Sequence, residues 1–187
     1  MRLFVALDVP EETRDALAAL IHKFGVVCRG ARWVRAANLH ITLKFIGEVE
    51  EAKLPAIKTN LNQVHPRDPI KIAFRNFGFF PNEHHPRVFW VGMESAPSLA
   101  ELAAEIDANL QPSGVPHEEK AFRPHLTLAR FNTPKGVTKL QELISGPAPQ
   151  EFGSTTAREF HLYQSILKQT GAEYTRLATF PFTKGPE

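Results

Sequence analysis

Cysteine is almost absent: Cys28 is the only one in 187 residues. A lone thiol forms no intramolecular disulfide and builds no multi-cysteine zinc site, and its scarcity points to a reducing, cytoplasmic setting. Long hydrophobic runs are missing too. No stretch approaches the ~18 apolar residues of a membrane-spanning helix. The opening MRLFVALDVPEETRD lacks a signal peptide's hydrophobic region and cleavage site, so none is read. An excess of one charge is also lacking: 22 Lys and Arg against 20 Asp and Glu leave a formal +2. That excludes a broadly basic coat for duplex nucleic acid, though not a local basic groove. Tyr and Trp number two each, against 14 Phe. No Walker-type glycine loop is present, so an ATP-dependent ligase is unsupported.

What remains is ordinary globular material, 43% hydrophobic and 22% charged, of a length for one domain spanning 1–187. Leu3–Leu7 reads as a buried strand. From Glu11 to Phe24 the period becomes helical, with Leu17, Leu20, Ile21 and Phe24 on one face and Gly25 as the stop. Strands are expected at 31–34, 39–45, 70–80, 87–93, 123–131, 159–167 and 174–180. Helices are expected at 53–64, with Pro55 in its first turn, at 99–110 and at 137–144. Pro81–Pro86 reads as a turn.

The chain repeats itself. Arg2 and Phe4 match Arg87 and Phe89, and Leu17, Ala18, Ala19 and Ile21 match Leu102, Ala103, Ala104 and Ile106. His40, Thr42 and Leu43 match His125, Thr127 and Leu128 in the same register, an offset of 85. Each copy is expected to be a small lobe, the two facing each other about an approximate two-fold axis.

His40-Ile41-Thr42-Leu43 and His125-Leu126-Thr127-Leu128 carry the chemistry. Strand side chains alternate faces, so His40 and Thr42 share one face, as do His125 and Thr127. Bringing those faces together makes a groove with two imidazoles and two hydroxyls. Imidazole titrates near neutrality, so one can act as base and the other as acid at phosphorus. The hydroxyls can donate to nonbridging oxygens. Neither a metal nor a cofactor is required.

At these residues the sequence resembles the two-histidine phosphoesterase superfamily, specifically the LigT-like RNA 2′,3′-cyclic phosphodiesterases, historically called 2′-5′ RNA ligases. RLFVALDVP, NLHITLKFIGEV at 38–49, RVFWVGM at 87–93, FRPHLTLARF at 122–131, and YQSIL at 163–167 followed by Tyr174 carry the resemblance. It implies a bilobal, duplicated α+β fold, with antiparallel sheets lining a central groove and helices outside. It implies metal-independent hydrolysis of RNA 2′,3′-cyclic phosphate ends to 2′-phosphomonoesters, and a monomer without membrane attachment. It makes His40 the proton donor and His125 the base; the symmetry of the motifs does not assign those roles. It implies, as a further activity of some members, reversible joining and cleavage of 2′-5′ linkages in RNA. Other cyclic nucleotides, ADP-ribose cyclic phosphate and 2′-5′ oligoadenylate stay open as substrates, as does a non-catalytic nucleotide-binding or RNA-binding module.

Further substrate contacts are expected nearby. Parity puts Asn38, Lys44 and Arg123 on the motif face, with Lys44 or Arg123 holding phosphate. The resemblance makes Arg130 a phosphate contact, yet strict alternation turns it to the opposite face unless the strand bulges near Ala129. Phe4, Phe89 and Phe122 are base-stacking candidates, with core packing as the plainer fate. His84-His85 lies in a turn, and His117-Glu118-Glu119 lacks zinc-protease spacing. His22 and His161 read as structural.

Overall fold

The computed structural model describes residues 1–147, 150–169 and 171–183. Its elements run β1 (Arg2–Asp8), α1 (Glu11–Val27), β2 (Ala31–Trp33), β3 (His40–Glu48), α2 (Leu54–Leu61), β4 (Ile70–Phe80), β5 (Val88–Ser95), α3 (Ser98–Leu110), β6 (His125–Phe131), α4 (Val137–Ile144), β7 (Glu151–Ala157), β8 (Glu159–Lys168) and β9 (Gly171–Pro181). The architecture is α+β. One antiparallel sheet has the order β3-β1-β8-β9 and the other β2-β6-β5-β4-β7. No described helix is long and apolar enough to cross a membrane.

Local chemistry explains most elements. Glu11 and Glu12 sit in the first turn of α1, where carboxylates favour the helix dipole. Leu17 and Phe24 form its buried stripe. Gly25 does not stop the helix, which continues to Val27 with Cys28 as its cap. A β-carbon at Gly25 would lie 3.8 Å from the Trp33 indole, an ordinary contact, so the ring packs beside the helix at this point. Pro55 falls at the start of α2, where its missing N–H costs nothing. The polar strand β7 has no expectation behind it. It is an edge strand, and pairing with β4 rather than its own apolar pattern makes it extended.

The two lobes are interleaved rather than each being formed by one copy. Strand β4, from the first half, pairs with β5, and β8, from the second half, pairs with β1. The helices cross over as well. Phe24 of α1 packs edge-on to Phe77 and Phe89 of the β5 sheet, 5.6 and 5.9 Å away. Helix α3 lies against β3, with α2 beside it. The outer layers are therefore α1 with α4 and α2 with α3, and β3 and β6 meet at the seam between the sheets.

The repeat also slips by one residue. His40 pairs with Asp8 and Thr42 with Ala6, while His125 pairs with Gly92 and Thr127 with Trp90. Thus β3 and β6 keep the offset of 85, but β1 and β5 are related by 84. Phe89 is the counterpart of Val5, not of Phe4. That is why Phe89 is fully buried among Phe24, Trp33, Phe77 and Phe79 and offers no face to the groove.

Candidate active site

Both motif strands begin with the same device. His40 Nδ1 lies 2.7 Å from the carbonyl of Asn38, and His125 Nδ1 lies 2.6 Å from the carbonyl of Arg123. A carbonyl only accepts, so each Nδ1 carries the proton and Nε2 is left as the reactive nitrogen. Asn38 is itself fastened, its side-chain amide donating to the Ala172 carbonyl at 2.7 Å. Thr42 and Thr127 follow two residues on, half-buried on the same faces.

Two bulges then reset the alternation. Pairing runs Val5 to Lys44 and Ala6 to Thr42, skipping Leu43. Likewise it runs Phe89 to Ala129 and Trp90 to Thr127, skipping Leu128. Two consecutive residues in each strand turn inward, and the next returns to the histidine face. In β6 that next residue is Arg130, which reaches the groove face that strict alternation denies it. In β3 it is Phe45, 48% exposed, with the Arg2 guanidinium 5.0 Å over its ring.

The same bulge removes Lys44 from the groove, correcting the parity expectation. Lys44 is 5% exposed, its Nζ 2.6 Å from Asp107 Oδ1 and 2.8 Å from the Pro116 carbonyl. Burial pushes the Asp107 carboxyl up. Hydrogen bonds from Lys44, the Glu118 amide and His117 outweigh it and hold the group below the usual range. Lys44 is a structural tie between β3, α3 and the segment leading to His125. Phe4 is also reassigned. It is 2% exposed, with the His40 ring 4.7 Å away, Tyr163 stacked at 5.4 Å and Tyr174 edge-on at 5.0 Å. It supports the imidazole and has no face free for a base. Phe122 is half-buried against the core. Arg123 is exposed and lies 6.0 Å over the Phe80 ring.

Register brings in Asp8, Tyr163, Tyr174 and Arg176, none of them an expected site residue. Asp8 stands across from His40 and binds Tyr163 and Arg176. Burial and the Asp8 hydrogen bond raise the Tyr163 phenol to about 12, so it stays a donor. His161 is buried, with Nδ1 3.0 Å from Thr179 Oγ1 and Nε2 3.5 Å from Asp8. A cavity of about 130 Å³ is lined by Phe4, Asp8, Arg14, His40, Tyr174 and Arg176, among others.

The two imidazoles have different surroundings. Burial lowers both below the ordinary histidine value. At His40 the Asn38 carbonyl and the Asp8 charge oppose that fall, while the charge of His125 adds to it. At His125 the Arg123 carbonyl opposes it and the Arg130 charge deepens it. Among the described residues, no group of three or more His, Cys, Asp or Glu is placed to hold a metal ion.

The chain has relatives over nearly its whole length. The family described as LigT like Phosphoesterase matches twice, at residues 7–90 and 91–174. An Archaeoglobus fulgidus protein named RNA 2′,3′-cyclic phosphodiesterase is 36% identical over 180 residues, 96% of this chain and 99% of its own. A Methanocaldococcus jannaschii protein of that name is 37% identical over 174 residues, 93% of this chain and 96% of its own. The crystal structure of TT0787 of Thermus thermophilus aligns with a TM-score of 0.80 at 33% identity, covering 97% of this chain and 98% of that one. E. coli LigT complexed with 3′-AMP aligns with a TM-score of 0.77 at 28% identity, covering 98% of each chain. Two motif strands with matched bulges and two adjoining family matches lead to one conclusion: this chain belongs to the LigT-like phosphoesterase family.

Proposed function

We propose that the chain is an RNA 2′,3′-cyclic phosphodiesterase, giving a 2′-phosphomonoester end. The observation that carries the reading is the pair of imidazoles, each tied at Nδ1 to the carbonyl two residues upstream. The names of its relatives point to the same substrate. His125 Nε2 takes a proton from the attacking water as its oxygen bonds to phosphorus. The P–O3′ bond breaks, and His40 Nε2–H protonates the leaving oxygen. Asp8 favours the protonated form of His40 and Arg130 the neutral form of His125, which supports this direction. Thr42 and Thr127 donate to the nonbridging oxygens, and Arg130 balances their charge. The exchanged strands support one domain over 1–187. A cytoplasmic monomer completes the proposal.

The test is to incubate the protein, with EDTA, with RNA ending in a 2′,3′-cyclic phosphate and to identify the product. A 2′-phosphomonoester is expected. Each of His40→Ala and His125→Ala should lose about 10²–10⁴-fold in kcat. Wild-type turnover by either variant, or a 3′-phosphate product, sinks the reading.

A further inference from the structure

The groove face of the β5 sheet holds an aromatic surface that the two-histidine chemistry does not use. Trp90 stands across from Thr127 and from Gly78, so its side chain shares their face. A β-carbon at Gly78 would lie 2.2 Å from Cζ2 and Cη2 of Trp90. One at Gly92 would lie 3.4 Å from Cζ3 of Trp90 and 2.7 Å from the Arg75 carbonyl. The indole therefore lies across Gly78, where any β-carbon would overlap its ring, and reaches contact distance of Gly92. Phe80 extends the surface, its ring 5.0 Å from Trp90 and edge-on to His125 at 4.9 Å. Trp90 is half-buried, and its Nε1 is enclosed without a hydrogen-bond partner among the described residues. Arg123 and Arg130 supply positive charge at the rim.

In the other sheet Ala6 takes the place of Trp90, and Phe4 and Tyr163 are already stacked beneath His40. The two halves of the groove thus differ in what they present. A flat indole and a phenyl beside cationic side chains suit a nucleobase joined to a phosphate backbone.

We propose that Trp90 and Phe80 form a base-stacking subsite on the His125 side of the groove, for a second nucleobase beside the nucleotide that carries the reacting phosphate. The subsite rests on the proposed function and narrows its substrate to RNA ends of two or more nucleotides. A mononucleotide leaves it empty.

The test uses Trp33→Phe, which leaves Trp90 as the sole indole. Its fluorescence is titrated with adenosine 2′-monophosphate and with the adenylyl dinucleotide ending in a 2′-phosphate. The dinucleotide should quench saturably, whereas the monophosphate, which leaves the subsite empty, should quench little. In turnover, the KM ratio of mononucleotide to dinucleotide 2′,3′-cyclic phosphates should fall from about tenfold to near one in Trp90→Leu. Trp90→Phe should restore it, and circular dichroism confirms that each variant is folded. Absence of quenching by the dinucleotide in an enzyme that still hydrolyses cyclic phosphates overturns the subsite. So does a ratio unchanged in Trp90→Leu. Quenching without any hydrolysis keeps the subsite and removes the proposed reaction.

Discussion

Asp8 is the cross-strand partner of His40, its Cα directly opposite in the β1–β3 pair. The matching position opposite His125 is Gly92. One imidazole therefore has a carboxylate neighbour and the other does not. This difference, together with Arg130 on the other side, breaks the symmetry that duplication would impose.

Asp8→Asn tests the consequence. A general acid works while protonated, so activity is lost as pH rises through its pKa. Removing the Asp8 charge lowers the pKa of His40, and the basic limb of kcat/KM against pH should move to lower pH. Tyr163, His161, Tyr174, Arg176 and His125 also face this region, so Tyr163→Phe should be profiled in parallel. A basic limb unmoved by Asp8→Asn contradicts the assignment of His40 as acid.

Arg130→Met should act on the opposite limb. A general base works while neutral, so activity is lost as pH falls through its pKa. Arg130 depresses the His125 value, and its removal should carry the acidic limb to higher pH. The KM for the cyclic phosphate should rise as well, because a charge facing the phosphate is gone.

Lys44 and Asp107 should matter for stability first. Both are buried and paired, so Lys44→Met leaves a carboxylate without its lysine partner. The expected cost is about 3–5 kcal/mol, read as a fall in the urea midpoint. The double variant Lys44→Met with Asp107→Leu removes both charges and should recover much of that loss. A fall no larger than that of a surface lysine variant would contradict the buried pair.

Phe89→Ala tests the aromatic core beneath α1. With Phe89 as the counterpart of Val5, truncation empties an aromatic core and should cost about 3–5 kcal/mol. Val88→Ala, at a half-buried position equivalent to Phe4, should cost clearly less. Equal losses in thermal or urea unfolding would count against the packing of Phe89 among Phe24, Trp33, Phe77 and Phe79.

Stability should rise with pH through the imidazole range. His40, His125 and His161 are all held below the ordinary value of 6.5, chiefly by burial. Between their folded values and 6.5 the unfolded chain binds more protons than the folded one, so acidification favours unfolding. Urea midpoints at pH 7.5 and 5.5 should show the drop, and His161→Gln should reduce it. A flat profile over that interval would contradict the lowered values.

Sequence alone singled out His40 and His125 as the candidate pair, because a period of two and a repeat of rare residues are one-dimensional signals. His-x-Thr in an alternating strand states which side chains share a face without reference to any partner strand. Hydrophobic period likewise located most strands and helices. It could not reveal β7, whose extended form comes from pairing with β4.

Tertiary structure decided everything that depends on register. Leu43 and Leu128 are skipped only because β1 and β5 pair with their neighbours, and those skips bury Lys44 and bring Arg130 to the groove. The pairing of β8 with β1 and the carboxylate opposite His40 join residues far apart in the chain, and the indole laid over Gly78 depends on the register of β4 with β5. The one cysteine follows the same division. Its scarcity ruled out disulfide and multi-cysteine zinc chemistry, whereas only the fold placed Cys28 at the buried end of α1, its carbonyl accepting from Trp33 Nε1 at 3.0 Å. Local alternation is a property of the strand, but bulges, pairing and burial are properties of two strands that meet.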